Sequence, residues 1–576
     1  MRFHAERGNE GKFGFRIMFF KAGQIGAIQD ELQASLLYFV PETILCATLV
    51  LLLVIRLFSY FNRVHLGTTA LVLTLAALAW AVGDWVSEPT KTPLFTGLLV
   101  FDQFTASMRV FLLAFAALII WLTLLTGIPD REDSADFYCL LLGATVGMML
   151  MAEANHLLMV YLAIEMASLP SYALAGFLKG RRQSSEAALK YVVYGGGASG
   201  IMVYGISLLA GKFGTAYLPN LAAGYVAALQ AGGDGVVPFD LVLALGTLFV
   251  LMGFGFKLAA VPFHFWCPDV FEGASAEVAA FLSVASKGAA LALAGRFVLV
   301  LAGPGRGLPA DATMLHNLVP ALAVFAALTA TFGNLAAYLQ TNLKRLLAYS
   351  TIAHAGYMMM GLATLTTEGV AAVLFYLVAY LFMNLGAFAV VAFLRNQTGS
   401  EDLDSFRGLV RRSPWMVITL SIFLLSLLGI PPLAGFAAKF QIFAALYHAG
   451  ESYRAAATPD VLLSNTMYAL LVIGGINTVI SAVYYIKVMK VMILDTTIEE
   501  LEKRAPMPLP EPAPPVIYAT LLAGVIFLVG IFWNPVAKAS DAGVKQFAPS
   551  TSAPGGRGGA PGGRGGAGGA RGGAQP

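Results

Sequence analysis

Gly253-Phe254-Gly255-Phe256-Lys257-Leu258-Ala259-Ala260-Val261-Pro262-Phe263-His264-Phe265-Trp266 lies inside an apolar run that begins near Leu241. A lysine at the centre of a membrane helix must leave water, at roughly 2.5–3.5 kcal/mol. Pro262 removes a backbone donor and clashes one turn back, which predicts a kinked or broken helix. Freed carbonyls at membrane depth are tolerated only against protein or a water-filled cavity. Lys257 and His264 would share one face if the helix stayed regular. A buried base, a break and an imidazole together suggest a path for protons. A lone lysine could equally be the structural partner of one acid. Repetition favours the path: Gly435-Phe436-Ala437-Ala438-Lys439 loosely repeats the pattern, with Pro431-Pro432 just upstream. Paired interrupted helices in the two halves of a chain point to a transport site.

The surrounding chain has 576 residues, 58% hydrophobic and 12% charged, with a mean hydropathy of +0.74. That composition predicts an all-α polytopic membrane protein. A net charge of +3 is too small to imply a nucleic-acid partner. Cys46, Cys139 and Cys267 lie far apart with no CxxC, which argues against zinc, iron–sulfur or a disulfide framework. Electron transfer, if coupled to this chain, belongs on another.

Residues 1–34 read as a polar basic extension, or an early start codon, without the short apolar core and small-residue site of a signal peptide. Apolar runs follow near 36–58, 66–87, 104–127, 137–153, 155–178, 187–211, 239–264, 277–302, 317–339, 345–364, 368–395, 415–447 (interrupted), 464–492 and 515–535. These make about 14 transmembrane helices by the ~20-residue rule; the fourth and fifth runs almost fuse. Residues 493–514 read as a cytoplasmic connection, and 549–576 as a disordered Gly/Arg-rich tail.

Cations concentrate after odd-numbered spans: Arg56 and Arg63, Lys179 to Arg182, Lys344 and Arg345, Arg407 to Arg412. The positive-inside rule then puts both termini outside the cytoplasm. The basic start and the acidic stretch Asp130-Arg131-Glu132-Asp133 argue the other way. Gly195-Gly196-Gly197-Ala198-Ser199-Gly200 matches G-x-G-x-x-G, but within an apolar span it reads as close helix packing, not nucleotide binding.

Further ionisable residues fall inside apolar runs: Glu165 on the fifth, Lys287 on the eighth and His354 on the tenth. Each alone could be a helix-packing residue. With Lys257, His264 and Lys439 they make one acid, three lysines and two imidazoles. Burial disfavours a charged lysine and a nearby carboxylate favours it, so small movements could load and release a proton. No metal, nucleotide or covalent nucleophile is required.

Lys257 to Phe271, Thr331 to Tyr357 and Gly429 to Lys439 are the stretches through which the chain, from about Leu36 to Trp533, resembles the antiporter-like membrane subunits of respiratory complex I. The resemblance implies fourteen helices with two inverted five-helix repeats, here residues 137–302 and 317–492. Residues 35–136 would hold the first three helices, and 515–535 the last. It implies a proton relay of Glu165, Lys257, His264, Lys287, His354 and Lys439. Lys439 stands where one sister subunit typically has glutamate, and nothing after residue 540 could form the lateral helix of another; the subunit N branch fits best. NADH, FMN, iron–sulfur clusters and quinone are expected on other subunits, with no cofactor on this chain. The expected partners are a neighbouring antiporter-like subunit, small membrane subunits and the lipid of a bacterial inner membrane. Ser275-Ala276-Glu277 departs from the family's Pro-Thr-Pro-like turn and adds an acid. The rival readings are a multi-subunit cation/proton antiporter or membrane-bound hydrogenase, and a passive scaffold whose charges only join helices.

Overall fold

The computed structural model describes residues 22–58, 64–130, 132–230, 240–302, 313–455, 459–497, 499 and 507–547. The first 21 residues and the tail from Pro549 lie outside the described residues. Twelve described helices are long and apolar enough to cross a membrane. Leu343–Ala363 and the split pair Pro414–Leu428 and Ala434–Ala455 bring the spans to fourteen. Span eight (Ala276–Val300) is wholly buried and span eleven (Thr367–Thr398) nearly so, whereas span six (Arg182–Phe213) is only 22% buried. Lys287 therefore hangs on a helix shielded by its neighbours, whereas Glu165 and Lys257 sit on spans that are 50% and 44% buried. Side-chain caps set several starts: Asp102, Asp240, Asn342, Thr366 and Asp460 each accept from a backbone N–H of the first turn.

Spans seven and twelve are both broken. The seventh runs Leu241–Leu258, stops at left-handed Ala259, and resumes as Trp266–Gly273. Freed backbone groups find partners across the gap: Trp266 Nε1 donates to the Phe256 carbonyl at 3.1 Å, and Val261 N donates to Thr329 Oγ1 at 3.0 Å. The shared face expected for Lys257 and His264 fails for this reason, since the helix ends one residue after the lysine. The twelfth span stops at Leu428, turns through Gly429 at φ 92°, and resumes at Ala434. Gly435 N donates to Ser426 Oγ at 3.1 Å, and a Cβ on Gly435 would overlap the Ser426 carbonyl. Gly435→Ala is expected to destabilise this joint by about 1–3 kcal/mol through overpacking, read as a lower thermal midpoint of the purified assembly.

Several elements carry no clear hydropathy signal. Residues Ala22–Leu37 form a helix within what reads as a polar extension. A two-stranded hairpin, β1 (Thr92–Leu94) against β2 (Leu99–Phe101), pairs Pro93 with Val100. Short helices Leu218–Gln230 and Asn534–Val544 lie between or after spans. The nearly fused fourth and fifth runs separate as Ser134–Glu153 and Leu157–Ala175, because Asn155 N donates to the Leu98 carbonyl and Leu157 N to the Ala216 carbonyl. Gly195 lies within span six, against Tyr172, as a packing residue.

The acidic stretch after span three has a partner-based explanation. Asp133 pairs with Lys179 at 2.7 Å and Asp136 with Arg56 at 2.5 Å. These carboxylates are counter-ions on the cationic end of the bundle.

Candidate functional site

Lys257, at the end of the first half of span seven, is 1% exposed, and its Nζ has no hydrogen-bond partner among the described residues. Glu165 is half-buried on span five and accepts from the Ser199 hydroxyl of span six. Glu165 and Lys257 make no direct ion pair among the described residues, yet the carboxylate lies close enough to act on the lysine charge. Tyr172 and Tyr191 meet edge to face with ring centres 4.6 Å apart, and Tyr191 stacks on Trp266 at 4.3 Å. Their hydroxyls, Lys257 Nζ and Ser286 Oγ are all buried without partners among the described residues. Unpaired buried polar atoms are rare in folded proteins, and several in one region mark room for water or a mobile proton.

Lys287 follows a π-helical turn, Leu282–Ser286, in span eight. Such bulges interrupt the regular ladder and recur at functional sites. The side chain is fully buried, with Nζ 3.9 Å from Cys267 Sγ and 5.4 Å from the ring centres of Trp266 and Phe271. The second half of broken span seven thus holds the lysine of span eight by cation–π faces and a thiol, with no carboxylate ion pair among the described residues. That half-helix is anchored in turn: Lys344 donates to the Ala274 carbonyl at 2.6 Å, and Arg345 pairs with Asp269 and Glu272 at 2.6 and 2.7 Å.

His354, on span ten, is buried between two phenols. Its Nδ1 lies 2.7 Å from the Tyr376 hydroxyl and its Nε2 3.2 Å from that of Tyr485. Tyr485 lies 2.6 Å from Ser350 Oγ, and Tyr380, whose ring centre is 5.2 Å from the imidazole, donates to Thr351. A neutral imidazole donates from one nitrogen and accepts at the other, so this string of groups can reverse its donors without moving heavy atoms. Lys439, 4% exposed, sits just past the break of span twelve; its Nζ donates to the freed Leu428 carbonyl at 2.9 Å and lies 4.7 Å from the Tyr357 ring centre. His264 is different. It packs in the break of span seven against Phe332 at 4.4 Å, with Nδ1 unpartnered among the described residues.

The sequence reading overlooked several buried charges. Arg296 of span eight pairs bidentately with Asp102 at 2.7 and 2.9 Å. Arg109 meets Glu42 and Glu153, each at 2.8 Å. The unexpected acid Glu277 is fully buried, 3.8 Å from Arg395. Each sits within or at the end of an apolar run, as Lys257 does, so the same test would have found them. Among the described residues no group of three or more His, Cys, Asp or Glu could hold a metal.

The family profile described as NADH:quinone oxidoreductase/Mrp antiporter, TM, matches residues 154–464. The chain is 42% identical to NADH-quinone oxidoreductase subunit N 2 of Sorangium cellulosum over 513 residues, spanning 87% of this chain and 96% of the relative. It is 41% identical to NADH-quinone oxidoreductase subunit N of an Anaeromyxobacter species over 90% of this chain and 98% of the relative. Among solved structures, a chain of respiratory complex I from Thermus thermophilus with bound aureothin superposes with a TM-score of 0.66 at 30% identity, covering 87% of this chain and 99% of that one. A chain of the Mrp complex from a Dietzia species reaches 0.73 at 19% identity over 89% and 98%, a likeness of fold alone.

Proposed function

The chain belongs to the family of subunit N of NADH-quinone oxidoreductase, the proton-translocating antiporter-like membrane subunits of respiratory complex I, and on that premise we propose the route its protons take. The route runs from Glu165 and Lys257 to Lys287, on to His354, and then to Lys439, with His264 beside the first break. The observation that carries it is the run of buried lysines and hydroxyls linking two broken helices through spans eight and ten. Water in the region of Tyr172, Tyr191, Lys257 and Ser286 would satisfy their free polar atoms and join Glu165 to Lys287.

The oxidoreductase activity belongs to the whole complex. NADH, FMN, iron–sulfur clusters and quinone are held by other subunits, and this chain supplies proton transfer in response to quinone reduction. Its neighbours are another antiporter-like subunit and small membrane subunits, in a bacterial inner membrane. The cationic end faces the cytoplasm, which puts both termini and the hairpin on the other side.

Lys257→Arg separates relay from scaffold. A scaffold tolerates a permanent cation, whereas a relay must release its proton. Proton uptake by vesicles holding the variant complex is expected to fall roughly tenfold or more, because each pKa unit by which arginine exceeds lysine is about a factor of ten in release. Undiminished uptake with normal assembly would count against the route.

A further inference from the structure

Glu42 opens span one, Arg109 lies early in span three, and Glu153 ends span four, so all three meet at the end of the bundle that carries the hairpin. Glu42 and Glu153 are 0% exposed and Arg109 1%. Both carboxylates place an oxygen 2.8 Å from the same guanidinium nitrogen, Arg109 Nε, so those oxygens lie no further apart than twice that distance. Arg109 spends Nη1 on the Tyr38 carbonyl at 2.8 Å, and Nη2 has no partner among the described residues. Both oxygens of Glu42 also lack a hydrogen-bond partner there, as does the second oxygen of Glu153. A third carboxylate, Asp84, stands 4.0 Å from Nη1 and is 25% exposed. The nearby cation Arg296 is already matched by Asp102. Cys46, one turn along span one, also faces Glu42.

One guanidinium cannot balance two or three carboxylates in a dry site. An uncompensated buried charge is costly enough that the group takes a proton instead. Two carboxyls crowded on one cation are the arrangement in which a single proton is held between a pair, with its affinity a property of both. Glu153 is also the last residue of its helix, where the negative end of the dipole opposes a second anion.

We infer that Glu42 and Glu153, gathered on Arg109, form a proton-holding site that exchanges with the hairpin-side face through partly exposed Asp84, apart from the lysine route. Arg296 Nε donates to the carbonyl of Ala152, the residue before Glu153, and Arg296 shares a helix with Lys287. The inference rests on the reading of this chain as a proton translocator.

Its test is infrared difference spectroscopy of the whole complex between neutral and alkaline pH. The wild type is expected to show a protonated-carboxyl carbonyl band at neutral pH that shifts in heavy water. Glu42→Gln or Glu153→Gln alone should abolish that band, because the remaining acid then matches Arg109 one to one and ionises. Retention of every protonated-carboxyl band in both variants would overturn the inference and leave a plain ion cluster. Should a Gln variant fail to assemble, Glu42→Asp keeps two acids and must show the band at an altered frequency; its loss would overturn the inference too. The band does not depend on pumping. Its presence in a Lys287→Met complex that pumps normally would reject the lysine route while leaving the Glu42–Glu153 site standing.

Discussion

Vesicles carrying the complex with Lys287→Met are expected to contain a fully assembled enzyme that takes up about tenfold fewer protons, or fewer still. A positioned proton-transfer group contributes on the order of 10²–10⁴ in rate, so tenfold is a floor set below that range. Assembly survives for a separate reason. Lys287 has no carboxylate ion pair among the described residues; its surroundings are Cys267 and the faces of Trp266 and Phe271. Methionine has similar length, and its sulfur packs well against aromatic rings. Removing the ammonium also removes a desolvation penalty, so the thermal midpoint should hold or rise. Proton uptake and NADH oxidation, followed together with the melting of the purified complex, separate the two effects. A lower midpoint with unchanged uptake would make Lys287 a structural cation.

Arg296→Met should do the reverse. Its guanidinium donates to both oxygens of Asp102, to Thr105 Oγ1 and to the Ala152 carbonyl, all in the interior. Breaking a buried pair from one side leaves an uncompensated charge and costs about 3–5 kcal/mol. The expected outcome is a sharp loss of the assembled complex from the membrane. Pairing the change with Asp102→Asn removes the stranded carboxylate and should restore part of the assembly. Restoration by that second change is the signature of the ion pair; equal loss in the single and double variants would assign the damage to packing.

Apolar length and two proline breaks made the architecture legible, because a membrane leaves the backbone few options. Pro262 and Pro431-Pro432 announced the interruptions, yet the position of each stop was set by neighbours: left-handed Ala259, Gly429, and the donors Trp266 and Lys439. The regular-helix argument for Lys257 and His264 failed because a two-turn spacing has no meaning across a break. Glu165 and Lys257 sat on the expected helices, but the Ser199 hydroxyl that Glu165 accepts from comes from a third span, which spacing does not encode. The buried Arg109 and Arg296 clusters were as visible in sequence as Lys257; they lacked only a proline beside them. The Tyr376–His354–Tyr485 string joins three spans, and no local pattern could have assembled it.

On the proposed route, Lys287 and Lys439 pass one proton in series. The direct test is a double-mutant cycle on proton uptake per NADH oxidised, using Lys287→Met, Lys439→Met and the two together in the reconstituted complex. Groups in one series are strongly non-additive. The double variant is expected to be no worse than the worse single variant. Losses that multiply, each lysine acting independently of the other, would contradict it.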